Sequence, residues 1–125
     1  MIQLDISNKL VRDSKGSMHQ RYVTRLAPAE KVKGDEFLAL CSERGHVPRY
    51  QVESTLGLVG EVMLEQLREG KPVEVPQVGV FRLGLEGRAT DSREEAGLKA
   101  VSKTTVNYHP APRIRDGTHL MTLLK

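Results

Sequence analysis

Tryptophan is absent from this chain, and aromatic residues make up only 4% of its 125 positions. Aromatic rings bury more area than other side chains, so a chain so poor in them has little with which to build a core of its own. Hydrophobic residues reach only 38%. A chain this polar folds by sharing a core with a partner, so obligate dimerisation is expected. Cys41 is the single cysteine, which excludes an intramolecular disulfide. It sits on the apolar side of a predicted helix, where a buried thiol is expected. No apolar run approaches the length of a membrane span. The segment Met1-Ile2-Gln3-Leu4-Asp5 has neither the basic nor the apolar region of a secretory signal. A cytoplasmic protein without a membrane partner is expected.

The groupings that carry catalysis are missing too. His19, His46, His109 and His119 are far apart, and none makes a close-spaced ligand pair with Cys41. Cys41 and His46 flank a predicted helix end, a poor geometry for a nucleophile and its base. Glu53, Glu61, Glu65 and Glu69 read as the solvated face of a helix. Gly84-Leu85-Glu86-Gly87 lacks the Lys and Ser/Thr of a phosphate-binding loop. No enzymatic activity, metal, cofactor or small-molecule substrate is expected.

What the chain does have is charge, unevenly placed. The net charge is +3, only mildly basic. Residues 1–33 hold seven Lys/Arg against three Asp/Glu, residues 34–78 four against eight, and residues 79–125 eight against five. The acidic middle coincides with a helical pattern and the basic ends with strands. Positive charge gathered on part of a fold is the footprint of phosphate contact.

Local patterns supply the elements. Ile2, Leu4 and Ile6 alternate with Gln3, Asp5 and Ser7, Ser14-Lys15-Gly16-Ser17 signals a turn, and Arg21–Leu26 is strand-like, so a β-hairpin is expected over residues 1–28. Asp35 to Arg44 predicts a first helix with Phe37, Leu38, Leu40 and Cys41 as its apolar stripe, and Gly45 is its expected stop. Pro48 opens a second helix reaching about Glu69, with Val52, Leu56, Val59, Met63 and Leu67 at helical spacing. Leu58, Val62 and Leu64 widen that face until it fits a helix clasped between two subunits. Gly57 and Gly60 interrupt it, at about 1 kcal/mol each relative to alanine, which another backbone approaching closely would explain. Strands are expected over residues 72–76, 78–85 and about 100–108, with a mobile connection at 86–99 and Pro110 and Pro112 ending the last strand. Asp116 or Thr118 is placed to cap a short final helix carrying Leu120, Met121, Leu123 and Leu124.

The most informative stretch is Glu69–Leu83, in which Gly70-Lys71 closes a helix and Val78-Gly79-Val80-Phe81-Arg82-Leu83 reverses the chain into a strand. With Pro110, these residues resemble the core of the bacterial HU/IHF family of histone-like DNA-bending proteins, over roughly residues 20 to 125. The resemblance is to a divergent branch with an N-terminal extension and a shortened arm. It implies an α+β HU-like fold over residues 29–125: two helices, a three-stranded sheet with an extended β-arm at about 82–107, a short last helix, and an intertwined homodimer. It also implies double-stranded DNA as partner and a place in the bacterial nucleoid. In the family two arms enter the minor groove, cations contact phosphates, and a proline near each tip wedges between base pairs.

On that pattern the candidate DNA-binding residues are Arg82, Arg88, Arg93, Lys99 and Lys103 in the arm, with Arg113 and Arg115 beyond it. The chain departs from the pattern at the tip. No proline lies between Pro76 and Pro110, and Glu94-Glu95 put negative charge there. Phosphate binding is therefore expected without a sharp kink. Two other readings stay open. A protein–protein module on the same scaffold would use the altered arm and the hairpin. A sequence-specific regulator would show a tight preference for one site over random DNA. Two helices joined through Gly45-His46-Val47-Pro48, with Arg49 and Gln51 forward, resemble the layout of a helix-turn-helix reader, but the helix is acidic and packing is the better account of the pair.

Overall fold

The computed structural model describes residues 2–119. The chain divides into two compact units between Phe37 and Leu38. In the first, β1 (Leu4–Arg12) pairs antiparallel with β2 (Met18–Leu26), from Leu4 opposite Leu26 to Arg12 opposite Met18. The turn between them is built on Asp13. Its carboxylate accepts the backbone N–H groups of Lys15 and Ser17, both at 2.9 Å, and His19 Nε2 lies 2.7 Å away. Gly16 takes the left-handed conformation, φ 85°, that the turn requires.

The bond to His19, then those from the backbone, hold the Asp13 carboxyl below the ordinary aspartate pKa. A carboxyl whose folded pKa is depressed stabilises the fold above its ordinary value, and that contribution is lost as pH falls through the depressed one. Acidification is therefore expected to loosen this turn, read as faster exchange of the Ser17 amide. In His19→Ala the Asp13 midpoint should move back toward the ordinary value by carboxyl NMR. An unmoved midpoint would show that the imidazole is not the cause.

In the second unit the helices and strands follow from capping and turn chemistry. The division between units falls in the first turn of α1 (Gly34–Gly45), where Asp35 and Glu36 complement the helix dipole. Gly45 ends α1 as expected, but the left-handed residue is the next one, His46, at φ 54°. The Ser42 hydroxyl donates to the Val47 carbonyl at 2.6 Å and fixes the joint. Pro48 precedes α2 (Arg49–Arg68). At the far end Gly70, φ 78°, donates to Leu67 O at 2.9 Å and Lys71 to Gln66 O at 3.2 Å. That pair of bonds is a Schellman closure, and Gly70 is the residue that permits it.

β3 (Val73–Val75), β4 (Gly79–Gly87) and β5 (Val101–Pro110) form one antiparallel sheet in that order. The β3–β4 reversal runs through Pro76 and Gln77, with Val78 N bonded to Val75 O at 3.0 Å and Gln77 at φ 69°. A positive φ at the third residue is the pattern of a type II turn. Gly79 is buried at the start of β4, with φ 150°. The Val78 carbonyl beside it accepts both the Tyr108 hydroxyl (2.8 Å) and the Ala111 amide (2.9 Å). The Tyr108 ring lies 5.1 Å from that of Phe81.

The described chain ends in a helix that the sequence reading did not expect. α3 spans Pro112–Gly117, with Ala111 as its N-terminal cap and proline in its first turn. Proline's fixed φ and missing N–H suit a helix start, so Pro112 begins a helix as well as following a strand. Thr118 closes the other end, its hydroxyl donating to Ile114 O at 2.7 Å. The helix expected at Leu120–Leu124 lies outside the described residues.

The core is thin. α2 packs on β3 and α3 on β5, and among the described residues only Leu67, Ala100 and Gly79 are buried. Val52, Val59 and Met63 of α2 are half-buried, as is Cys41, whereas Leu58, Val62 and Leu64 are exposed. A Cβ on Gly57 or Gly60 would meet nothing within 4 Å. The close approach expected at these glycines is not made by any described part of the same chain.

Candidate nucleic-acid interface

Strand register decides which of the candidate cations act together. β4 and β5 pair from Gly79 opposite Pro110 to Glu86 opposite Lys103. Residues directly opposite lie on one face, and neighbours along a strand alternate between faces. One face therefore carries Phe81, Leu83 and Leu85 with Val106 and Tyr108, and the other carries Val80, Arg82, Gly84 and Glu86 with His109, Asn107, Thr105 and Lys103. Arg82 and Lys103 share the polar face, Arg82 opposite Asn107. They are four residues apart in register, about 14 Å along the ladder. Gly84 makes room between them, because a Cβ there would lie 2.7 Å from both Asn107 Nδ2 and Thr105 Oγ1. Both cations are exposed, and neither forms an ion pair among the described residues. The carboxylate of Glu86, directly across from Lys103, weakens the field at that end.

The ladder then slips by one residue, with Gly87 opposite Val101. Beyond this bulge Arg88 N bonds Ala100 O at 3.0 Å, and Arg88 and Lys99 line one shallow depression with Ser102. Instead of a long arm, the connection has local bonds of its own. Thr90 donates to Ser92 O at 2.8 Å, Ala96 N to Arg93 O at 3.2 Å, and a single 3-10 turn spans Leu98–Ala100. Arg93 stands in the turn with Glu94 and Glu95, and residues 88–99 hold three Lys/Arg (Arg88, Arg93, Lys99) against three Asp/Glu (Asp91, Glu94, Glu95). Arg113 is exposed on α3, and Arg115 is tied to Asp116 at 3.1 Å.

The seven candidates thus fall into separate places: Arg82 with Lys103 on one sheet face, Arg88 with Lys99 past the bulge, Arg93 in a turn with two carboxylates, and Arg113 and Arg115 on α3. Sequence reading passed over Asn107 and Thr105, which flank the cations on the polar face. Their signal was the period-2 alternation of β5, legible only once its register against Arg82 is known.

The family described as "HU domain fused to wHTH, Ig, or Glycine-rich motif" matches residues 2–125. The chain belongs to this HU-HIG family. No curated protein and no solved structure matches it. Membership brings the histone-like, DNA-binding character of the HU domain type at a coarse level. In this HU-HIG chain the Val-Gly-x-Phe-Arg-Leu segment closes the β3–β4 turn at Val78 and forms the first half of β4. No helix of the described residues is long and apolar enough to cross a membrane.

Proposed function

We propose that this HU-HIG chain is a non-enzymatic architectural protein of the bacterial nucleoid that works as a homodimer. It binds duplex DNA with little sequence preference, through phosphate contacts and shape. The observation that carries this reading is the polar face of β4–β5, where Arg82 and Lys103 stand exposed beside Asn107 and Thr105 and back onto an apolar face.

The surface supports the homodimer. The chain exposes 11279 Å². Two separate folded units of its two sizes would together expose about 7,900 Å². The excess is enough to supply the about 2,000–5,000 Å² that an obligate interface removes over both partners. The uncovered apolar flanks of α2, with Gly57 and Gly60 open to a close neighbour, are where a second copy fits. The neutral connection and the absence of proline between Pro76 and Pro110 leave the tip with neither a wedge nor a local excess of positive charge, so the bound duplex is not sharply kinked.

The test is anisotropy of a labelled random-sequence duplex over a salt series. Binding should fall steeply as salt rises. Arg82→Ala with Lys103→Ala should weaken it equally on all sequences and cut the slope of log K against log salt by about 1.8, the share of two phosphate contacts. Unchanged affinity in the double variant would remove the arm assignment. No binding by the wild type at low salt would favour the second reading, a protein-binding module, to which the neutral connection already inclines.

A further inference from the structure

A second concentration of positive charge lies outside the HU-like arm. Residues 4–26 hold five Lys/Arg (Lys9, Arg12, Lys15, Arg21, Arg25) against two Asp (Asp5, Asp13), whereas the connection between β4 and β5 balances to zero. The β1–β2 register sorts this charge. Asp5, Ser7, Lys9 and Val11 share one face with Arg25, Val23, Arg21 and His19, and Leu4, Ile6 and Leu10 share the other with Leu26, Tyr22 and Met18. The second face also holds Asn8, Gln20, Thr24 and one cation, Arg12, against the three cations of the first.

Lys9 stands directly opposite Arg21. Opposed residues on one face have Cβ atoms about 5 Å apart, and like charges there destabilise the pair. Nothing on the ribbon relieves the repulsion. Asp13 is held in the turn by His19 and two backbone amides. Asp5 lies opposite Arg25, four residues further along β2, and makes no ion pair with any described residue. The arrangement is an exposed dication with a third cation about 14 Å away on the same face. An anion seated between Lys9 and Arg21 would turn the repulsion into binding.

We propose that the Lys9–Arg21–Arg25 face of the β1–β2 ribbon is a second contact surface for duplex DNA, gripping phosphates. The proposal rests on the reading of this chain as a DNA-binding protein and adds a site the family's arms do not supply. A two-stranded ribbon is of a size that the major groove, about 12 Å wide, admits. The face carries no Phe, Tyr or Trp, Tyr22 being on the opposite side, and its one ring, His19, is held by Asp13 in the turn. It therefore lacks the stacking platform by which single strands are held, and a duplex backbone is the nucleic acid it suits.

The experiment uses the full chain and the random-sequence duplex over a salt series. Lys9→Gln with Arg21→Gln should lower the slope by about 1.8 and weaken binding about 60-fold at about 0.1 M salt, with the two proteins converging near 1 M. Arg25→Gln alone should lower the slope by about 0.9. The double variant removes a repulsion, so its thermal midpoint should be no lower than the wild type's, which separates lost contact from lost folding. An unchanged slope in a wild-type protein that binds overturns the inference and leaves the arm reading standing, because Arg82→Ala with Lys103→Ala reports on that separately. Failure of the wild type to bind removes both. Binding to polyglutamate that depends on Lys9 and Arg21, with an unaltered DNA slope, would give the face to an acidic protein and overturn the proposal.

Discussion

Val62→Asp is expected to abolish the dimer, so that sedimentation of the variant shows monomer or unfolded chain at concentrations where the wild type is paired. Val62 is 46% exposed and its neighbour on the same flank of α2, Leu58, is 60% exposed. Neither serves its own chain's core, so the substitution acts on the partner contact first. Val59 and Met63 are poorer probes, because they are already half-buried against the same chain. A carboxylate forced into an apolar interface costs at least about 3 kcal/mol. A two-fold interface contains it twice, and about 6 kcal/mol is about 10⁴-fold in the dissociation constant. A Val62→Asp protein that pairs like the wild type would show that α2 turns another flank to the second copy. It would also leave the chain's excess of exposed surface to be covered in some other way.

Much of the fold was legible because short-range chemistry determines it. The closure of α2 follows from Gly70, which can take the left-handed turn, and β4 follows from a glycine set among β-branched and aromatic residues. Where two local rules competed, the sequence misled. Pro112 follows a strand and also suits a helix start, and the helix it opens was missed because only its strand-ending role was read. At the α1–α2 joint Gly45 was read as the stop and α1 ends there, but the left-handed conformation of His46 and the bond from Ser42 that holds the joint had no signal in the sequence.

The site was less legible than the fold because it depends on register, a long-range property. That Arg82 and Lys103 share a face follows from pairing across a long connection, and the bulge at Glu86/Gly87 changes the phase for everything beyond it. Arg88 and Lys99 could not be placed from alternation alone. The hairpin cations were hidden for a related reason. The alternation of Ile2, Leu4 and Ile6 drew attention to the apolar side, whereas Lys9 opposite Arg21 emerges only from the length of the Asp13 turn.

Gly79→Ala should cost about 3 kcal/mol or more, because two separate penalties meet at one residue. The backbone there has φ 150°, a conformation that costs a side chain about 1–3 kcal/mol. The added Cβ would also strike the His109 carbonyl oxygen, approach Tyr108 Cε1 to 2.7 Å and reach the Ala111 amide at 3.1 Å. Two of those three neighbours are backbone and cannot rotate away, so the overlap adds about 1–3 kcal/mol. For a unit of this size the thermal midpoint should fall by about 15 °C. Gly70→Ala is the informative control. Gly70 also has positive φ, 78°, but a Cβ there meets nothing within 4 Å, so only the conformational penalty of about 1–2 kcal/mol applies. The difference between the two variants isolates the crowding where β4 begins, which holds Phe81 against Tyr108 and sets the register of Arg82. Equal melting of Gly79→Ala and Gly70→Ala would mean that the β4–β5 ladder starts elsewhere, and the alignment of Arg82 with Lys103 would go with it.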